Sequence, residues 1–77
     1  MFQLSYKKDR KLFPCETITK NIIVGETILS VNLKSLDYCE YFKEKYGAEN
    51  IFIVNKEKQQ VFKWWDIEKE VKKWKLN

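Results

Sequence analysis

The stretch ITKNIIVGETILSVNL, residues 18–33, decides how the whole chain is read. Thr27, Leu29, Val31 and Leu33 alternate with Ile28, Ser30 and Asn32, which is the two-residue period of a strand with one buried face. Ile18, Ile22 and Val24 come before them. Gly25-Glu26 lies between the two runs, where a two-residue type II′ turn takes glycine first. The predicted hairpin sets Val24 against Thr27, Ile22 against Leu29, Lys20 against Val31 and Ile18 against Leu33. One face is then apolar apart from the stem of Lys20, and the other carries Ile23–Ile28, Asn21–Ser30 and Thr19–Asn32.

Upstream, Phe2, Leu4 and Tyr6 alternate with Gln3, Ser5 and Lys7, predicting a half-buried strand. Lys8-Asp9-Arg10-Lys11 reads as a turn, and Pro14 argues against a central strand at 12–16. Downstream, Leu36, Cys39, Phe42 and Tyr46 form the apolar stripe of a helix, with Ser35 as N-cap and Gly47 just past its end. Ile51–Val54 and Gln60–Trp64 read as paired strands. With Lys56–Gln59 as the loop, Ile51 faces Trp64, Ile53 faces Phe62 and Val54 faces Val61. Asp66 can cap a last helix whose apolar edge is Ile67, Val71 and Trp74. The expected class is α+β: a small antiparallel sheet of about five strands with two helices across one face, in the order β-β-β-α-β-β-α. It forms a single compact domain over residues 1–77.

A chain of 77 residues supports one thin core and no separate buried cleft. Its longest apolar runs fall far short of the ~20 residues that cross a bilayer, so no membrane association is expected. The start of the chain turns polar before any signal-like segment forms, and two cysteines are few for a secreted domain of this size. The expected location is cytoplasmic. The net charge of +4 is uneven. Residues 1–20 carry five cations against two acids (+3), residues 21–50 three against five (−2), and residues 51–77 seven against four (+3). Basic ends around an acidic middle can orient a charged partner.

Catalytic groups are scarce. Histidine is absent, which removes the usual proton shuttle near neutral pH and every Ser–His or Cys–His pair. Two cysteines without histidine cannot fill a zinc site, and neither glycine belongs to a phosphate loop. Asp37, Glu40 and Glu44 share one helix face, but a flat, solvated face is no cage for Mg²⁺. The expectation is a non-enzymatic protein with no cofactor. Cys39, on the helix stripe, reads as a small core residue; Cys15 has no assigned element.

Groups suited to binding are plentiful. Aromatic residues make up 16% of the chain. Trp64 points to the core, leaving Trp65 on the opposite face near Val61, Phe52 and Val54, where a sheet covered on one side exposes them. Tyr38 and Tyr41 lie beside Asp37, Glu40 and Glu44 and suit a basic protein partner. These residues are the candidate protein-binding set. The leading expectation is a small protein-binding module, an inhibitor or regulator that sterically blocks a larger enzyme or nucleoprotein assembly. Its size and composition are those of small phage or mobile-element inhibitors. One alternative is direct, backbone-directed nucleic-acid binding without sequence preference, through Lys7, Lys8, Arg10, Lys11, Lys69, Lys72 and Lys73. Fourteen lysines to one arginine leave little scope for bidentate base readout. The other alternative is a structural or self-assembling subunit, such as a homodimer.

Overall fold

The period-two pattern of Phe2 to Lys7 forms a central strand, β1 (Phe2–Lys8), in a computed structural model that describes residues 1–64. A two-residue turn, Asp9-Arg10, returns the chain as β2 (Lys11–Pro14), with Lys8 opposite Lys11 and Ser5 opposite Pro14. Both turn residues have positive φ, 52° and 67°, as a type I′ turn requires. The short strand β3 (Val24–Gly25) also pairs with β1, opposite Gln3 and Phe2. On its other side β1 pairs with β4 (Ile51–Asn55), which pairs in turn with β5 (Gln60–Lys63). The antiparallel sheet has the order β2-β1-β4-β5, with β3 beside β1. The α+β class therefore stands, and the described residues run β-β-β-α-α-β-β. The last predicted helix lies outside the described residues, as do Trp65, Lys69, Lys72 and Lys73.

The predicted hairpin over 18–33 is overturned. Its second arm is helical: α1 (Ile28–Ser35) leads through a 3₁₀ turn, Leu36–Tyr38, into α2 (Cys39–Tyr46). The reason lies in a second period in the same residues. Ile28, Val31, Asn32 and Ser35 recur at helical spacing; Val31, Asn32 and Ser35 are buried, and Ile28 packs against the core. The alternate residues Leu29 and Leu33 face solvent instead. Thr27 decides between the periods by capping the helix. Its side chain accepts from Ser30 N at 3.0 Å, and the Ser30 hydroxyl accepts from Thr27 N at 3.2 Å. Ser35 is the last residue of α1 and precedes the 3₁₀ turn without a side-chain cap bond, while the N-cap of α2 is Tyr38.

The first arm is also rearranged. Leu4 donates its N–H to Ile23 O at 2.9 Å and accepts from Cys15 N at 3.0 Å. Residues 11–15 and 23–25 thus act as one edge strand along β1, from which Glu16–Ile22 departs and returns. The Glu16–Ile22 bridge closes the base of this excursion, which we call the finger.

The β4–β5 turn follows the expected register: Ile53 faces Phe62 and Val54 faces Val61 across the loop at 56–59. The loop has no glycine, and Asn55 fixes it instead. Its Oδ1 accepts from the amides of Glu57 (3.1 Å) and Lys58 (3.3 Å), while Gln59 takes a positive φ.

The helices cover one sheet face. Between them lie Leu4, Cys15, Ile23, Val31, Phe42, Ile51, Ile53 and Trp64. The Trp64 indole donates to Ser35 Oγ at 3.1 Å, and that hydroxyl donates to Asn32 O at 3.0 Å, so the largest core side chain is anchored to the end of α1. Tyr6 stacks on Tyr46 at 4.1 Å, joining β1 to α2. No described helix is long and apolar enough to cross a membrane.

Two substitutions test this arrangement with opposite signs. A Cβ at Gly25 would run into the Ser30 hydroxyl and press Val31 Cγ2 at 3.2 Å, so Gly25→Ala lowers unfolding free energy by about 1–3 kcal/mol in urea titration. The buried Asn32 Nδ2 has no hydrogen-bond partner among the described residues, so Asn32→Leu raises stability by about 1 kcal/mol in the same assay.

Candidate partner-binding surfaces

Among the described residues, no helix covers the other sheet face. Strand alternation places Gln3, Ser5 and Lys7 of β1, Leu12 and Pro14 of β2, Phe52 and Val54 of β4, and Val61 and Lys63 of β5 on that side. Phe52 lies opposite Ser5 on one neighbour and Lys63 on the other. Ser5 is buried beneath larger residues, and its hydroxyl accepts from Gln3 Nε2 at 3.2 Å. A concavity of about 270 Å³ on this side is lined by Lys7, Arg10, Leu12, Phe52 and Val61. Leu12 is 44% exposed and Val61 52%. Phe52 is half-buried. Val54, on a central strand between Gln3 and Val61, is only 8% exposed and so offers a partner little surface.

The finger is the second surface. Its amides and side chains are cross-braced: Thr17 N donates to Asn21 O (2.9 Å) and Lys20 N to Thr17 O (2.8 Å). Asn21 N donates to Thr17 Oγ1 (3.1 Å), and Asn21 Nδ2 donates to Thr19 Oγ1 (2.9 Å). Lys20 takes a left-handed φ of 63° to close the turn. Glu16 N, at the base, donates to the Tyr46 hydroxyl at 3.4 Å. This scaffold holds Ile18 72% exposed and Ile22 47% exposed. Beside it runs a cleft of about 340 Å³ lined by residues including Ile22, Lys34, Asp37 and Tyr38. The Lys34 ammonium on its rim donates to Val24 O at 2.7 Å.

The helix rim is less available than its sequence suggests. Tyr38 and Tyr41 are half-buried, with ring centroids 5.9 and 5.7 Å from Phe42, so they shield the core. The Lys45 ammonium donates to the Tyr41 hydroxyl at 3.2 Å, and this bond holds its pKa above the ordinary lysine value. Asp37, Glu40 and Glu44 are exposed, and among the described residues no group of acids or thiols could hold a metal ion.

The basic residues only partly converge. Lys7, Lys8, Arg10 and Lys11 share the β1–β2 hairpin, but alternation divides its strand residues. Lys7 lies on the open face, where Arg10 joins it, while Lys8 and Lys11 lie on the helix side. Sequence reasoning missed the finger because Ile18 and Ile22 were assigned to a core-facing strand. The signal was Thr17-x-Thr19-x-Asn21, three side chains able to bond nearby backbone within five residues.

Neither thiol makes an evident nucleophile. Cys39 is half-buried against the core, and Cys15 is fully buried. Burial pushes the Cys15 thiol up to about 12 from 9.0, with the Lys45 charge opposing weakly. Because the folded-state pKa is the higher one, its contribution to stability is complete below pH 9 and is lost as the pH rises from 9 to about 12. In a Cys39→Ala background, ultraviolet thiolate absorbance should therefore appear near pH 9 in denaturant and only towards pH 12 in the folded protein.

No family model matches this chain, and the comparisons with curated proteins and with solved structures found no match.

Proposed function

We propose that this chain is a small, non-enzymatic protein-binding module of the cytoplasm that inhibits or regulates a larger enzyme or nucleoprotein assembly by occupying its surface. The observation that carries the reading is the finger. Three polar side chains and a strained lysine backbone are used to hold an isoleucine in water, where it adds nothing to this protein's own core. An anchor fixed before binding loses little conformational entropy on association, which is how a small surface reaches useful affinity. Protection of the sheet edge also follows from a finger at this position, but edge protection calls for polar or charged residues rather than Ile18.

A second reading, backbone-directed nucleic-acid binding, draws on the four cations of the β1–β2 hairpin. It requires binding that fades between about 50 and 200 mM salt.

Affinity capture from the native host, with and without nuclease and with Ile18→Ser as the paired bait, separates the two. Ile18 is exposed, so the variant keeps its unfolding midpoint to within about 0.5 kcal/mol. The proposal expects a stoichiometric protein partner that survives nuclease and salt and is lost from the Ile18→Ser bait. Retention of nucleic acid alone, or equal retention by both baits, contradicts it.

A further inference from the structure

We propose that the open sheet face docks an acidic, apolar peptide segment of the partner protein. Lys7 and Arg10 meet its carboxylates, and Leu12, Phe52 and Val61 take its apolar side chains. The inference rests on the protein-binding reading and adds the chemistry of what is bound.

Three observations carry it. First, the charge on this face has one sign. Lys7 lies on it among strand residues that include no acid, Arg10 stands at its rim, and neither Lys7 nor Arg10 has an ion-pair partner among the described residues. Second, the concavity of about 270 Å³ is too small for most free ligands but suits one or two side chains of a segment crossing the face. Third, Arg10 occupies a position that local folding would give to another residue. In a type I′ turn both central residues take positive φ, and Asp-Gly is a favoured pair; here the pair is Asp9-Arg10, with Arg10 at 67°. Glycine would relieve that strain. Arginine adds a planar, five-donor group beside Leu12 and Phe52, the geometry that grips a carboxylate in two places.

The same cations would attract phosphates, but the apolar floor distinguishes the two partners. Single-stranded nucleic acid needs successive aromatic platforms for its bases, and among the described residues this face offers one ring, Phe52, between aliphatic residues.

The test is selection of random displayed peptides on the immobilised protein, with a labelled oligothymidylate as the competing probe. Enriched peptides should combine Asp or Glu with aromatic or large aliphatic residues. A synthetic copy should lose at least about tenfold in affinity on Lys7→Glu/Arg10→Glu. Arg10→Gly gives a second readout that misfolding cannot imitate: it raises the unfolding midpoint while weakening the peptide. Peptides without acids, or peptides indifferent to Lys7 and Arg10, overturn the proposal, as does oligothymidylate binding at this face in their place. If peptides are lost only with Ile18→Ser, this site falls and the protein-binding reading stands; if no surface enriches any peptide, both fall.

Discussion

The peptide group of Leu4 is the constraint on which the rest of the structure depends. Its oxygen holds Cys15 and its N–H holds Ile23, the two residues that flank the finger. One residue of β1 thereby lets seven residues leave the sheet edge and return in register. The Leu4 side chain lies in the core, so breaking either bond disturbs the center of the domain as well as its edge. Everything downstream is placed by this junction. β3 ends at Gly25, Gly25 admits the Ser30 hydroxyl, and the Thr27–Ser30 capping box starts the helical stretch that roofs one side of the sheet.

That roof explains why function is sought on the other side. With little more than two turns in either helix, α1 and α2 cover a single face, and a domain this small has no second layer among the described residues. The uncovered face and the finger lie on different parts of the molecule and differ in character. The finger exposes Ile18 on a hydrogen-bonded turn; the sheet face is concave, aromatic at its centre and basic at its rim. A partner engaging both would be gripped by an inserted anchor and by a charged platform, an arrangement in which the anchor supplies affinity and the charges supply orientation.

Much of this was legible in the sequence, and the parts that were not have physical causes. β1 follows from period-two alternation, β4 from its β-branched and aromatic run with β5 as its partner, and the loop between them from its polar residues; the pairing of Ile53 with Phe62 emerged without a glycine to fix it because Asn55 supplies the missing constraint. Residues 27–33 were misread because both periods coexist there: Leu29, Val31 and Leu33 alternate as in a strand, while Ile28, Val31, Asn32 and Ser35 repeat as in a helix. The polar pair Asn32 and Ser35 weakened the helical signal, although Ser35 is buried to receive the Trp64 indole. The misreading hid the finger, since a strand ending at Val24 turned Ile18 and Ile22 inward. For the surface residues, alternation alone placed Phe52 and Val61 on the open face. The tyrosines of the helix rim could not be judged from spacing, because their exposure depends on how Phe42 is roofed.

A pre-organised finger is the claim on which the functional account stands, and amide hydrogen exchange of the native protein, resolved residue by residue, measures it directly. The N–H groups of Thr17, Lys20 and Asn21 are bonded within the finger, whereas the bonds of Leu4 and Cys15 belong to its base. The account predicts slowed exchange at all five, with Leu4 and Cys15 approaching the rate set by global unfolding. Exchange of Thr17, Lys20 and Asn21 at the rate of an unstructured chain, while Leu4 stays protected, would show a loose loop and contradict it.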